Sequence, residues 1–392
     1  MRRLLLGLLL AATPLAAQEA NPWRLSDFPY FMGDPTNGVL IIGHAHLARD
    51  ADYESRLPFD GYLGLEGAYG TRGSRFATLK FRAPFLVRAW RFAFDAGAVR
   101  EARFGYYGTG PEGDAPTLDP SEDTGDHYRV RRSRYYARAE ATRHVKGPLH
   151  VAVSAGLTHF RYTRRTDGLA FQTDYFDITP VTGTDAVGRL ALVFDSRDKE
   201  FVTTKGFLLE AGLYFGSGRF EQRNLAPGGG GAVSSFTDKG YTGAYTHLRG
   251  FFSPRAGTVL AGRLLVRALG ANAPLDARYT LPAWERELTV MGGADSHRSF
   301  VKGRLLGRGL LLGSAEVRHN VVDVGDYGGV TVVAFLDAGR TFQEGPRLTL
   351  SDLRVGGGGG VALRVVRSAI LNFNFATGPD GFTFSMLNGW PF

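Results

Sequence analysis

The chain has 392 residues, with 46 lysines and arginines against 38 aspartates and glutamates, a formal net charge of +8 and no cysteine. The lack of cysteine excludes a disulfide framework, a thiol nucleophile and a thiolate metal site. Nearly all the basic residues are arginine, scattered among acids, which argues against the one-sided basic stripe of a nucleic-acid-binding protein.

Residues 1–17, MRRLLLGLLLAATPLAA, combine two arginines, a short apolar run and small residues before Gln18. That pattern predicts a secretory signal peptide cleaved after Ala17, so that the mature chain leaves the cytoplasm. Losing Arg2 and Arg3 lowers the net charge by two, from +8 to +6. Only about ten residues separate Gln18 from the first candidate strand, so we expect one domain over 18–392 and no folded module ahead of it.

The mature chain then reads as a long series of segments with a period of two. With 53 glycines and 44 phenylalanines and tyrosines, it favours strands and turns over helices. Strands are predicted over 28–34, 37–48, 60–70, 73–83, 89–105, 128–144 and 149–163. They continue over 187–198, 204–216, 240–252, 257–269, 306–319, 328–340, 355–366, 369–376 and 381–392. That makes about sixteen, in the size range of an outer-membrane barrel. Within them one parity is apolar and the other charged: Leu190, Leu192 and Phe194 against Arg189 and Asp195, and Leu260, Leu264 and Val266 against Arg263 and Arg267. No later apolar run is long enough for a transmembrane helix. Short turns at 70–73, 145–148 and 253–256 alternate with long polar connections at 106–127, 164–186, 217–239 and 270–305. Outer-membrane barrels have short periplasmic turns and long outer loops, so the fold class expected is an all-β transmembrane antiparallel barrel.

The densest stretch is 291–340. Glycine-bracketed MGGADSHRSFVKGRLLGRG leads into two alternating segments carrying Glu316 and Asp337 on their charged faces, after a loop that carries Arg298. Because Val332, Ala334 and Leu336 take the lipid side, Asp337 faces in, and the same logic turns Glu316 inward. An arginine can engage two carboxylates at once, so an Arg298–Glu316–Asp337 cluster is expected to hold the 270–305 loop inside the barrel. The lumenal parity also carries both charge signs, which suits an internal ion-pair network better than a one-sign selectivity filter. The glycine run Gly356–Gly360 lacks the lysine and helix of a phosphate loop and is read as a strand kink or a close approach of backbones.

Phe382, Phe384, Met386, Trp390 and Phe392 share one parity, predicting a last strand with an aromatic outer face. Other chemistry finds little support. Asp126-His127 and Asp295-Ser296-His297 hold hydrolase residue types, but adjacent strand residues diverge and these lie in loops. His44 and His46 share a strand face with no third metal ligand evident nearby.

These motifs together resemble the barrel of the BamA/TamA superfamily, the bacterial surface antigen family. The family's sixth outer loop has an Arg-Gly-aromatic tip, matched by Arg298-Ser299-Phe300, with Ser299 where the family has glycine. Its next strands carry Glu-x-Arg, matched by Glu316-Val317-Arg318, and aromatic-x-Asp-x-Gly, matched by Phe335-Leu336-Asp337-Ala338-Gly339. Asp195-Ser196-Arg197-Asp198 before Lys205-Gly206 resembles the family's Asp-Ser/Thr-Arg-Asp hairpin, without the proline often found there. The terminal aromatic strand, with Phe382, Phe384, Trp390 and Phe392, resembles the signal by which outer-membrane proteins are recognised for insertion.

The resemblance covers 187–392 well and the first half only in general terms. It implies a short, barrel-only branch without periplasmic POTRA domains, and a structural or gating role for Arg298, Phe300, Glu316, Arg318, Asp337 and Gly339. It also implies an outer-membrane monomer that takes part in protein or lipid insertion or translocation, with membrane lipid and protein clients or a separate periplasmic chain as partners. No enzyme activity, cofactor or metal is expected. A solute-conducting porin is the alternative.

Overall fold

A computed structural model describes residues 22–34, 37–51, 55–108, 126–165, 181–225, 232–284, 286–325, 328–343, 350–365 and 369–392. The expected signal peptide and most of the expected 106–127 and 164–186 loops lie outside the described residues. Sixteen strands form one antiparallel meander in which each pairs with its sequence neighbour in the wall. The first half comprises β1 (Arg24–Asp34), β2 (Gly38–Asp50), β3 (Phe59–Gly70), β4 (Arg75–Val87), β5 (Trp90–Gly105), β6 (Arg129–Lys146), β7 (Leu149–Arg164) and β8 (Val181–Asp195). It is followed by β9 (Gly206–Leu225), β10 (Ala232–Arg255) and β11 (Thr258–Leu269). A helical turn, α1 (Leu275–Tyr279), and a small hairpin of β12 (Thr280–Pro282) and β13 (Glu287–Thr289) interrupt the wall. The wall resumes with β14 (Gly309–Asp323), β15 (Gly328–Phe342), β16 (Arg354–Val365), β17 (Ala369–Gly378) and β18 (Gly381–Asn388).

The alternation sorts the side chains as a membrane barrel requires. Leu190, Leu192, Leu213, Phe215 and Leu336 stand exposed on the outside, whereas Arg189, Glu210, Glu316 and Asp337 are buried inside. The apolar core is also interior: Leu281, Leu288, Val290, Met291 and Phe300 of the 270–305 segment pack against Phe104, Phe160, Tyr162, Tyr214 and Leu265 of the wall. So the loop supplies one half of the core and the lumenal wall the other. Among the described residues no helix is long and apolar enough to cross a membrane.

Two expectations need correction. The 217–239 connection is mostly strand: β9 and β10 stay paired out to Leu225 and Ala232, at 20 and 24 residues. A strand needs only about 9–11 residues to span, so this hairpin stands well clear of the membrane. The last strand stops at Asn388, short of 392. Gly389, at φ +102°, turns the tail, and Phe392 is buried against Phe251 and Ala261. Trp390 and Phe392 therefore leave the outward parity assigned to them, while Phe382 keeps it, 71% exposed.

Candidate functional site

The 270–305 segment returns into the lumen through a tight turn. Gly292 and Gly293 take φ of +101° and +108°, and a Cβ on Gly292 would fall 2.2 Å from the Val301 carbonyl oxygen. The Gly293 amide donates to the Phe300 carbonyl at 2.9 Å, closing the loop that presents Arg298.

Arg298 is 1% exposed. Its Nε and Nη2 donate to the two oxygens of Asp337 at 2.8 and 2.7 Å, and its backbone amide adds a third bond to Asp337 at 2.9 Å. Nη1 donates to Glu316 Oε1, and the guanidinium carbon lies 3.6 Å from the centroid of the Phe335 ring. Glu316 is shared: its other oxygen accepts from Arg318 Nε at 2.7 Å. Both acids are fully buried, so each charge depends on these donors in place of water. From β18, the Thr383 hydroxyl donates to the Arg298 carbonyl at 2.7 Å. The loop tip is thus tied to three strands of the wall.

The flanking residues fit this seat. Phe300, 2% exposed, packs into the interior core with its ring 4.6 Å from His297. Gly339 lets the loop approach, since a Cβ there would meet Met291 at 3.0 Å. Gly356 is tighter, because its Cβ would lie 2.0 Å from Ser299 Oγ. The glycine run is therefore a seat cut for the loop tip at Gly356, inside a continuous strand. Arg318 faces in, 4.1 Å from the Trp390 ring and 5.4 Å from the Phe392 ring, so the turned-in tail covers the ion cluster from below.

Several anchors carry no motif signal. Arg267 donates to four backbone carbonyls at the base of the loop, those of Ala277, Arg278, Thr280 and Gly307, at 2.9–3.2 Å. Arg263 does the same for Asp295 and Ser296, both at 2.8 Å. Arg304 pairs with Asp380 at 2.5 Å. Elsewhere in the lumen Arg189 joins Glu140 and Glu210, and Glu210 also accepts the Trp284 amide at 2.7 Å. Lumenal parity of the arginines was readable, but a carbonyl partner has no sequence signature.

The remaining candidates are occupied otherwise. His297 contacts the Arg354 carbonyl through Nε2 at 2.9 Å and Ser299 Oγ through Nδ1 at 3.0 Å, so neither nitrogen serves Ser296. Asp126 pairs with Arg103 and Arg165. Contrary to the expectation of no nearby third group, Glu66 lies 3.0 Å from His44 Nδ1, while His44 Nε2 meets His46 Nδ1 at 2.8 Å. Glu66 and His46 address opposite nitrogens of one ring, which makes a hydrogen-bonded chain and no chelating set. Among the described residues no group of three or more potential ligands could hold a metal.

A sixteen-stranded inside-out barrel with its own ion-paired loop seated in the lumen has the architecture of a transmembrane β-barrel. The family follows from comparison: a model of the Omp85 superfamily domain matches residues 61–383, and the chain belongs to that superfamily. No curated protein matches the chain in sequence. Among solved structures, BamA from Haemophilus ducreyi lacking POTRA domains 1–3 is similar at 14% identity and TM-score 0.53, over 94% of this chain and 70% of that one. CdiB from Escherichia coli is similar at 12% identity and TM-score 0.53, over 94% and 67% of the two chains. At such identities the likeness is one of fold. Superfamily and fold together imply the outer membrane as the location.

Proposed function

We propose that this barrel assists the insertion or translocation of proteins or lipids at the outer membrane, and that it acts at the seam between β1 and β18. The observation that carries this reading is the seam itself. The two strands lie side by side, yet among the described residues no ladder of backbone pairs joins them, whereas every other neighbouring pair in the wall is laddered. Unpaired strand edges in lipid leave donors and acceptors unsatisfied, and an incoming extended segment can complete them by strand addition. Pro29 sits in the middle of β1, and a proline inside a sheet belongs to an edge. The 270–305 segment occupies the lumen, seated by its apolar core and the Arg298 cluster, and that disfavours the porin alternative. A separate periplasmic chain would deliver the client.

The test uses the absence of native cysteine. Tyr30 of β1 and Asn388 of β18 face each other across the seam. Tyr30→Cys with Asn388→Cys, bridged by a bis-maleimide with a central disulfide, should lock the seam in the purified full chain reconstituted in vesicles. An unfolded outer-membrane barrel protein added to these vesicles should fold faster than with empty ones, slow to the empty-vesicle rate on crosslinking, and recover when the linker is reduced. No acceleration, or acceleration indifferent to the lock, would overturn the proposal. A large steady conductance in planar bilayers would restore the porin reading.

A further inference from the structure

Most arginines of this barrel point inward and find acids or carbonyls. A smaller set does the reverse. Strand registers align Tyr69 of β3 with Arg75 of β4, Arg75 with Arg100 of β5, Arg100 with Ser133 of β6, and Ser133 with Arg161 of β7. Directly opposed residues share a face, and Tyr69, 63% exposed, marks it as the outer one. Arg131, two residues from Ser133 on the same face of β6, is close enough to Arg100 to repel it.

Three features make this row unusual. Arg75 and Arg100 stand directly opposite each other, an arrangement of like charges that disfavours the sheet unless an anion sits between them. Arg75, Arg100, Arg131 and Arg161 have no ion pair or hydrogen-bond acceptor among the described residues, and the outward positions of β4–β8 hold no carboxylate. The height is also specific. On β7 the outward residues from Leu149 to Leu157 are apolar, a rise of about 27 Å along the strand and about 20 Å once tilted. That nearly fills the roughly 25 Å apolar band of an outer-membrane barrel, so Arg161 lies just beyond its edge, at the end with the long connections.

We propose that these four arginines form a docking surface for the phosphate groups of anionic lipid headgroups in the leaflet at that end. Guanidinium forks suit phosphate geometry, and Ser133 and Tyr69 add hydroxyl donors in the same row. Below them the wall offers alanine, leucine and valine to the acyl chains of the same lipid. A soluble anion would gain nothing from that lower half, so the lipid is the occupant. The surface is independent of the seam and of the client.

Nanodiscs of phosphatidylcholine carrying the full-length barrel, with lipid A bearing both phosphates or none, provide the test. Retained lipid is counted by native mass spectrometry after release from the disc. The wild type should retain the phosphorylated lipid preferentially, and retention should fall as salt rises. Arg75→Gln or Arg161→Gln should lower it about fivefold each at low salt, and all four changes together by at least about a hundredfold. Arg143→Gln, on Trp90 at the opposite end, should change nothing. Equal retention of the dephosphorylated lipid, retention insensitive to the arginines or to salt, or displacement by millimolar inorganic phosphate would each overturn the proposal. The single exposed-residue variants and the salt series keep the test decisive if the fourfold variant does not fold.

Discussion

Replacing Arg298 by alanine removes one side chain and takes the paired guanidinium from Asp337. The wild-type guanidinium gives three hydrogen bonds to Asp337 and Glu316 and covers the Phe335 ring, while all three ionic groups are shut off from water. Glu316 keeps Arg318, but Asp337 keeps a single hydrogen bond, from the backbone amide of residue 298, and only the charge of Arg263 nearby. Removing one partner of a buried pair costs about 3–5 kcal/mol, most of it the cost of the charge left behind. The loop escapes that cost by undocking, so the undocked population should rise at least about a hundredfold. Limited proteolysis within 270–305, read against heat-modifiable gel mobility to show an intact wall, measures it directly. The stranded charge can be separated from the lost contact by a double-mutant cycle. Asp337→Asn alone should also loosen the loop, yet added to Arg298→Ala it should restore about 1–3 kcal/mol, because a neutral amide needs no countercharge. If Arg298→Ala leaves protease resistance and unfolding midpoint unchanged, or the two losses simply add, the pinning argument is wrong.

Two further outcomes follow from the same structure. Gly356→Ala should release the loop tip, since its methyl would fall 2.0 Å from Ser299 Oγ, and Ser299→Gly should suppress that defect by vacating the space; proteolysis of the double variant checks this. In the β8–β9 turn, burial alone would raise the Asp198 carboxyl. Hydrogen bonds from the Thr204 hydroxyl and from the amides of Thr204, Lys205 and Lys199 outweigh it and hold the carboxyl below its ordinary value. A depressed folded value gives stability that is present above the unfolded value of about 3.9 and lost as pH falls through the folded one. Protection of the 196–205 amides, measured against their intrinsic exchange rates, should therefore be high at neutral pH and fall below about pH 4. Asp198→Asn should show low protection at both, and equal protection of the two proteins at neutral pH would sink the idea.

The sequence by itself determined which side chains face lipid and which face the lumen. A period of two leaves no other choice once one face is apolar, and so the inward aim of Glu316 and Asp337 was legible beforehand. The number of wall strands was legible for the same reason, because turn residues punctuate each alternating run. Tertiary structure decided where those runs stop. Nothing local distinguishes the protruding ends of β9 and β10 from loop, since only pairing with each other makes them strand. Nor does parity hold Trp390 and Phe392 outside. At the barrel floor Arg318 and Arg263 offer their planar faces, and Gly389 lets the chain turn to meet them. The seat of the loop was beyond reach as well. Gly356 and Ser299 are 57 residues apart, as are the His297 ring and the Arg354 carbonyl, and Arg267 binds carbonyls that every residue possesses. Periodicity fixes the direction a side chain takes from its own strand. What it meets there depends on closing the sheet into a cylinder, which brings distant strands around one loop.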